Sequence, residues 1–148
     1  RLNGTPYLLL YDFREIDVVQ APFNIFDRRL ETTGWIDKLY SENIEVQARS
    51  VFLQGALLQK NHELDRRFKK WRNLFREFEE FLNFNDLNAY EACISFVGSY
   101  EKISQIIIGI DSFDQFKALV KLSQTEIKSY NQPDIFCNDL NLIDPRNW

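Results

Sequence analysis

The sequence predicts an α/β fold built on parallel strands. Three short runs rich in β-branched residues, IDVVQAP, IEVQARSVF and QIIIGI, alternate with longer segments of helical periodicity. Strands separated by helices pair in parallel through crossover connections. At 148 residues, 45% hydrophobic and 27% charged, the chain suffices for one domain with a real core. Three strands leave two sheet edges with unpaired backbone groups. They therefore form either a small open sheet or a sector of a larger barrel.

The elements follow in order. Thr5 then Pro6 caps and opens a helix over YLLLYDF, since proline at the first helical position gives up no hydrogen bond. IDVVQAPFN reads as a buried strand ended by Pro22. In DRRLETTGWIDKLYSEN the apolar Trp35, Ile36, Leu39 and Tyr40 share a helical face, and Asn43 is a left-handed stop. IEVQARSVF is the second strand. RFKKWRNLFREFEEFL is the clearest helix, with Phe68, Trp71, Phe75, Phe78 and Leu82 forming a stripe at spacings of three and four. That row reads as core packing. Its basic cluster RRFKKWR is either a solvated face or a phosphate-binding patch. The helix starts basic and ends acidic, against its macrodipole, so packing must hold it. DLNAYEACISFVGS is apolar on more than one side and predicts a sandwiched helix. QIIIGI is a short, fully apolar third strand. SFDQFKALVKLSQ opens with Ser112 and Gln115, a serine-x-x-glutamine capping box. The organisation is a body over residues 1–129 and an irregular tail over residues 130–148.

A formal charge of −4 argues against a nucleic-acid footprint, and no apolar run approaches the length of a membrane span. Two cysteines are too few for a disulfide framework, and the expected compartment is the cytoplasm. Cys93 is either a reduced core residue or a reactive thiol. The sequence contains no methionine and begins RLNGTP, which reads as a processed or partial polypeptide.

VVQAPFNIFDRRL, ARSVFLQGALL and IIIGIDSFDQF, in that order and at these separations, resemble the last three strand–helix units of aldo/keto reductases. The closing IDPRNW is similar to the end of bacterial members. The resemblance covers nearly the whole chain. It implies a (β/α)₈ TIM barrel and an oxidoreductase that reduces a carbonyl small molecule with NADPH or NADH. A full barrel takes about 250 residues, so this chain is expected to be a partial barrel holding strands six to eight. The expected partners are that carbonyl substrate, with no nucleic acid and no membrane, and a further copy of the chain or the missing amino-terminal part of the barrel.

The resemblance also assigns cofactor-binding positions. Gln20 matches a glutamine bonded to the nicotinamide carboxamide, because an amide both donates to and accepts from another amide. The other reading is a buried glutamine satisfied by a neighbouring strand. Asn24 and Arg28 are lesser candidates for the same rim. Ser50 matches a serine near the pyrophosphate, with the loop through Gln54 and Gly55 wrapping it. Arg49 stands where many members stack an aromatic ring on the nicotinamide, and a guanidinium plane also stacks. A salt bridge from Arg49 to Glu31 or another acid is the alternative. Gly109, Ser112 and Gln115 match the loop that takes the adenosine ribose phosphate. No basic residue appears among them, and Asp111 opposes a 2′-phosphate. Ser112 as a plain helix cap, worth about 1 kcal/mol, is the simpler reading of that residue.

No catalytic residue is assigned. The family's tyrosine, lysine, aspartate and histidine come from the first half of the barrel, and none of those motifs occurs in this sequence. His62 reads as a surface residue. Tyr7, Tyr11, Tyr40, Tyr90, Tyr100 and Tyr130 fall on helices or the tail. No metal site is expected. Two functional classes follow: the carboxyl-terminal part of an oxidoreductase, inactive alone, or a non-catalytic truncated or decayed barrel module that self-associates. A flavodoxin-like domain fits less well, since no glycine-rich phosphate loop follows the first strand.

Overall fold

A computed structural model describes residues 16–124 and 130–148. Three strands form one parallel sheet in the order β1 (Val18–Pro22), β2 (Glu45–Arg49), β3 (Gln105–Ile106). The register pairs Val18 with Glu45 through Pro22 with Arg49, and Gln47 with Gln105. The helix expected over YLLLYDF lies outside the described residues.

Side chains alternate across each strand, and this sheet buries only one face. Ala21, Val46 and Ala48 are buried, and Val19 and Ile106 pack beside them. On the opposite face Val18, Gln20, Glu45, Arg49 and Gln105 are exposed. This corrects the expectation that the first strand is buried. The run of valines and isoleucines hides a two-residue period: Val18 is 43% exposed and Ile107 38%. On the open face the register aligns Gln20, Gln47 and Gln105. Gln20 Nε2 donates to Gln47 Oε1 at 2.9 Å and Gln47 Nε2 to Gln105 Oε1 at 3.0 Å. β3 is shorter than the QIIIGI run, though the Ile107 N–H still donates to the Ala48 carbonyl at 2.8 Å.

The helical segment after β1 is two helices, α1 (Arg29–Thr32) and α2 (Trp35–Ser41). Gly34 divides them at φ 73°, a conformation that glycine adopts without steric cost. Ile36 and Leu39 are buried, whereas Tyr40 is exposed. Asn43 takes φ 57° and closes α2, as its side chain predicts. The aromatic helix begins as a 3₁₀ turn over Arg66–Trp71 and becomes α3 (Arg72–Phe84). Asp65 caps the turn by accepting from the Arg67 N–H at 2.9 Å. Phe68, Phe75 and Phe78 are buried, with Phe75 5.1 Å from the Phe26 ring, while Arg66, Arg67, Lys69 and Lys70 lie on the solvent side. The stripe is therefore core, and the basic cluster is a solvated face.

α4 (Ala89–Gly98) starts with a reciprocal capping box. Asn88 Oδ1 accepts from the Glu91 N–H, and Glu91 Oε2 accepts from the Asn88 N–H, both at 2.9 Å. Ala92, Cys93, Phe96 and Val97 are all buried, as a sandwiched helix requires. Cys93 is a free thiol, and burial raises its pKa, so it is held as the neutral thiol. In α5 (Phe113–Ser123) Ser112 Oγ accepts from the Gln115 N–H at 3.1 Å. Gln115 Oε1 reaches one residue further back than a capping box requires and accepts from the Asp111 N–H at 2.7 Å.

The tail is more ordered than its composition suggests. It contains α6 (Leu140–Ile143), whose Leu142 and Ile143 are buried, and a 3₁₀ turn over Pro145–Asn147. The Cys137 N–H donates to the Phe26 carbonyl at 2.9 Å, and Trp148 meets Phe68 edge to face at 4.8 Å. Lys70 pairs with Asp139 at 2.8 Å and, with the Asn141 backbone N–H, holds that carboxyl at about 2. Its contribution to docking the tail is complete above the ordinary carboxylate range and disappears as pH falls through about 2.

Candidate functional site

The carboxyl ends of β2 and β3 open into a cleft of about 270 Å³. One wall is the loop that leaves β2. Ser50, Leu53 and Gln54 adopt φ of 57°, 48° and 53°, and Gly55 follows at 81°. Left-handed backbone costs a non-glycine residue roughly 1–2 kcal/mol. Burial of a leucine or phenylalanine side chain returns about 1.5–3 kcal/mol. Val51, Phe52, Leu53 and Leu57 are all buried under the loop, so packing overrides local preference. Strain of this kind concentrates at ligand sites.

Asn24 fixes this wall to the loop after β1. It is fully buried, its Nδ2 donates to the Ser50 carbonyl at 3.0 Å, and its Oδ1 accepts from the Phe26 and Asp27 N–H groups at 3.0 and 2.9 Å. The Phe23 N–H donates to the Arg49 carbonyl at 3.1 Å and prolongs the strand pairing into the turn. Asn24 is thus a brace beneath the cleft and not a rim residue. Arg28 is not at the rim either. It donates to the Pro133 and Ile25 carbonyls and lies 4.8 Å over the Phe96 ring, so it anchors the tail.

The other wall runs from β3 into α5. Gly109 lines it, and a side chain there would meet no atom within 4 Å, because it would project into open space. Gly55, on the facing loop, has the same free space. Arg49, Ser50, Gln54, Gly55, Gly109 and Gln115 therefore converge on one cleft, although the two groups lie more than fifty positions apart in sequence. Asp111 also lines it. Two expected residues do not. Ser112 is occupied as the α5 cap. Gln20 sits on the open face of β1, bonded to Gln47; its neighbouring-strand partner was foreseeable, but it is exposed and not buried.

Arg49 is exposed, and its Nη1 donates to Ser50 Oγ at 3.3 Å. The expected salt bridge to Glu31 is not formed, since Glu31 accepts from the Tyr100 hydroxyl at 2.9 Å. Burial, and after it that bond, raise the Tyr100 pKa, and Tyr130 is spent on the Ala92 carbonyl at 2.6 Å. Neither phenol lines the cleft. His62 is exposed beside Glu63. Among the described residues no three His, Cys, Asp or Glu side chains gather as a metal-binding group, and no helix is long and apolar enough to cross a membrane. A second depression of about 310 Å³ lies at the amino ends of the strands, beside Tyr40, Asn43 and Ser104. Its Lys102 is paired with Asp37 at 2.5 Å. In α/β proteins ligands bind at the carboxyl ends, which favours the cleft at Arg49.

A family model, Aldo/keto reductase family, matches residues 11–135. The chain belongs to the aldo/keto reductase family. The match includes β1, β2, β3, both walls of the cleft and α5. It places this aldo/keto reductase chain among oxidoreductases with an α/β structure of three parallel strands in one sheet. No curated protein matches it significantly.

Proposed function

We propose that this aldo/keto reductase chain is a sector of a (β/α)₈ barrel that cradles a nicotinamide dinucleotide for carbonyl reduction. The observation that carries the reading is the convergence of Arg49, Ser50, Gln54, Gly55, Gly109 and Gln115 on one cleft at the strand ends. Strand order supports the barrel sector. A doubly wound sheet reverses direction and covers both faces, whereas β1, β2 and β3 run in sequence order with one face left open. The residues fit the cofactor. Arg49 has no carboxylate partner among the described residues, and the two glycines leave room for close backbone approach.

The bound cofactor supplies hydride to a carbonyl. The chain's own residues do the holding. Arg49 and Ser50 meet phosphate oxygens, and Gln20, outside the cleft on the open face of β1, has no partner for its carbonyl oxygen among the described residues and can accept from a carboxamide that extends over that face. Among the described residues Tyr100 and Tyr130 are engaged elsewhere and no tyrosine lines the cleft, which supports a sector that binds and leaves proton donation to other parts of a barrel; the 148-residue chain with NADPH and a reactive aldehyde is expected to show no turnover. A cytoplasmic location agrees with two free cysteines.

Calorimetric titration with NADH and NADPH tests the reading. Loss of a charge-assisted bond to phosphate is worth roughly 1.5–3 kcal/mol. Arg49→Ala is therefore expected to weaken binding by about 10- to 100-fold. Gly109→Leu is expected to block the cleft without unfolding the chain. Unchanged affinity in both variants refutes the assignment.

A second reading, association with further strands or with another copy, is favoured by α5. Phe113, Phe116 and Val120 recur along one face and are 68%, 45% and 39% exposed, beside the open β3 edge and Ile110. Light scattering on the 148-residue chain is expected to give a mass above 17.7 kDa. A monomer at all concentrations argues against it.

A further inference from the structure

The two walls of the cleft differ in charge. The β2 side carries Arg49, whose guanidinium reaches only Ser50 Oγ among the described residues. The β3–α5 side carries the exposed carboxylate of Asp111. The backbone N–H of Asp111 is already used by Gln115 Oε1 at 2.7 Å, and the Ser112 hydroxyl is used by the α5 cap. Lys117 does not compensate: it lies 3.9 Å from Asp114 and 4.3 Å over the Phe113 ring, away from the cleft lining. Among the described residues the wall facing Arg49 therefore offers a carboxylate, the Nε2 donor of Gln115 and a glycine, and no cation.

Such a wall treats a plain ribose and a phosphorylated one differently. Ribose hydroxyls donate to a carboxylate and accept from an amide N–H. A phosphate dianion in the same place meets a like charge, and the described residues of that wall supply no cation beside it. Dinucleotide sites in general use an acidic residue for the free 2′-hydroxyl and a basic one for the 2′-phosphate. We infer that Asp111 is a specificity-determining residue that makes this cleft select NADH over NADPH. The inference rests on the dinucleotide reading above, with the pyrophosphate towards Arg49 and the adenosine ribose towards Asp111.

Calorimetric binding of NADH and NADPH to the intact protein tests this, with AMP and 2′,5′-ADP as fragment probes. Wild type is expected to favour NADH, and AMP over 2′,5′-ADP, by at least about tenfold. Asp111→Asn is expected to level the preference and Asp111→Lys to reverse it, with circular dichroism unchanged because the side chain is exposed. Equal or tighter binding of NADPH to wild type overturns the inference while leaving the dinucleotide reading intact. So does a preference unaltered in Asp111→Lys. Failure of both dinucleotides to bind overturns the dinucleotide reading and this inference together.

Discussion

Replacing Asn24 with alanine is expected to destabilise the chain by about 3–5 kcal/mol and to abolish dinucleotide binding. The side chain is fully buried and serves three backbone groups: the Phe26 and Asp27 N–H groups and the Ser50 carbonyl. Each buried polar group left without a partner costs about 1–3 kcal/mol. The Ser50 carbonyl keeps its bond from the Leu53 N–H at 2.9 Å, so the loss falls mainly on the two N–H groups. Function suffers because the brace holds the turn at Ser50, where a left-handed conformation aims the cleft wall. Asn24→Asp retains an acceptor for both N–H groups but sets a carboxylate against the Ser50 carbonyl. Its stability is expected to lie between wild type and Asn24→Ala, while binding stays low. Urea unfolding with parallel cofactor titration measures both. A variant that loses less than about 1 kcal/mol contradicts the role of Asn24 as a brace.

Arg29→Ala is expected to cost about 3–5 kcal/mol, because it strands a buried carboxylate. Asp27 is fully buried, and Arg29 grips it with Nε at 2.8 Å and Nη2 at 2.7 Å. The bond to Asp27 is also the main cause of the raised Arg29 pKa, ahead of the opposing effect of burial. Arg29 Nη1 is buried without a partner, so the pair is not ideally satisfied. Replacing both partners with Leu and Met is expected to restore much of the loss, since neither charge then remains. Thermal unfolding of Arg29→Ala and of the double variant checks the pattern, and a loss below about 1 kcal/mol in Arg29→Ala, or a double variant no more stable than it, contradicts it.

Local chemistry made much of this molecule legible in its sequence. Asn43 as a left-handed stop, Ser112 as a cap and the Phe68–Phe75–Phe78 stripe each depend on neighbours within one or two turns. The Asn88–Glu91 capping box was equally readable, since asparagine followed three residues later by glutamate carries the same signal. What sequence did not reveal depends on tertiary contact. β1 reads as buried because valine fills both faces of its start, and only the register shows that Gln20, Gln47 and Gln105 share an open one. The left-handed run from Leu53 to Gly55 contains one glycine, so its composition gives little warning. Burial of Leu53 enforces it. Asn24 acts across 26 positions, which no local pattern reports. Arg28 and Arg49 illustrate the same limit: two arginines near strand ends, one turned to the tail and one left facing the cleft.

The central claim is that the carboxyl ends of β2 and β3 hold a nicotinamide dinucleotide, and amide chemical-shift mapping by NMR tests it most directly. Adding NADH is predicted to shift the resonances of Ser50, Gln54, Gly55, Gly109 and Asp111, and to leave Asn43, Glu45 and Glu101 at the opposite strand ends unmoved. Shifts confined to those opposite ends, or no shifts at millimolar cofactor, would contradict the claim.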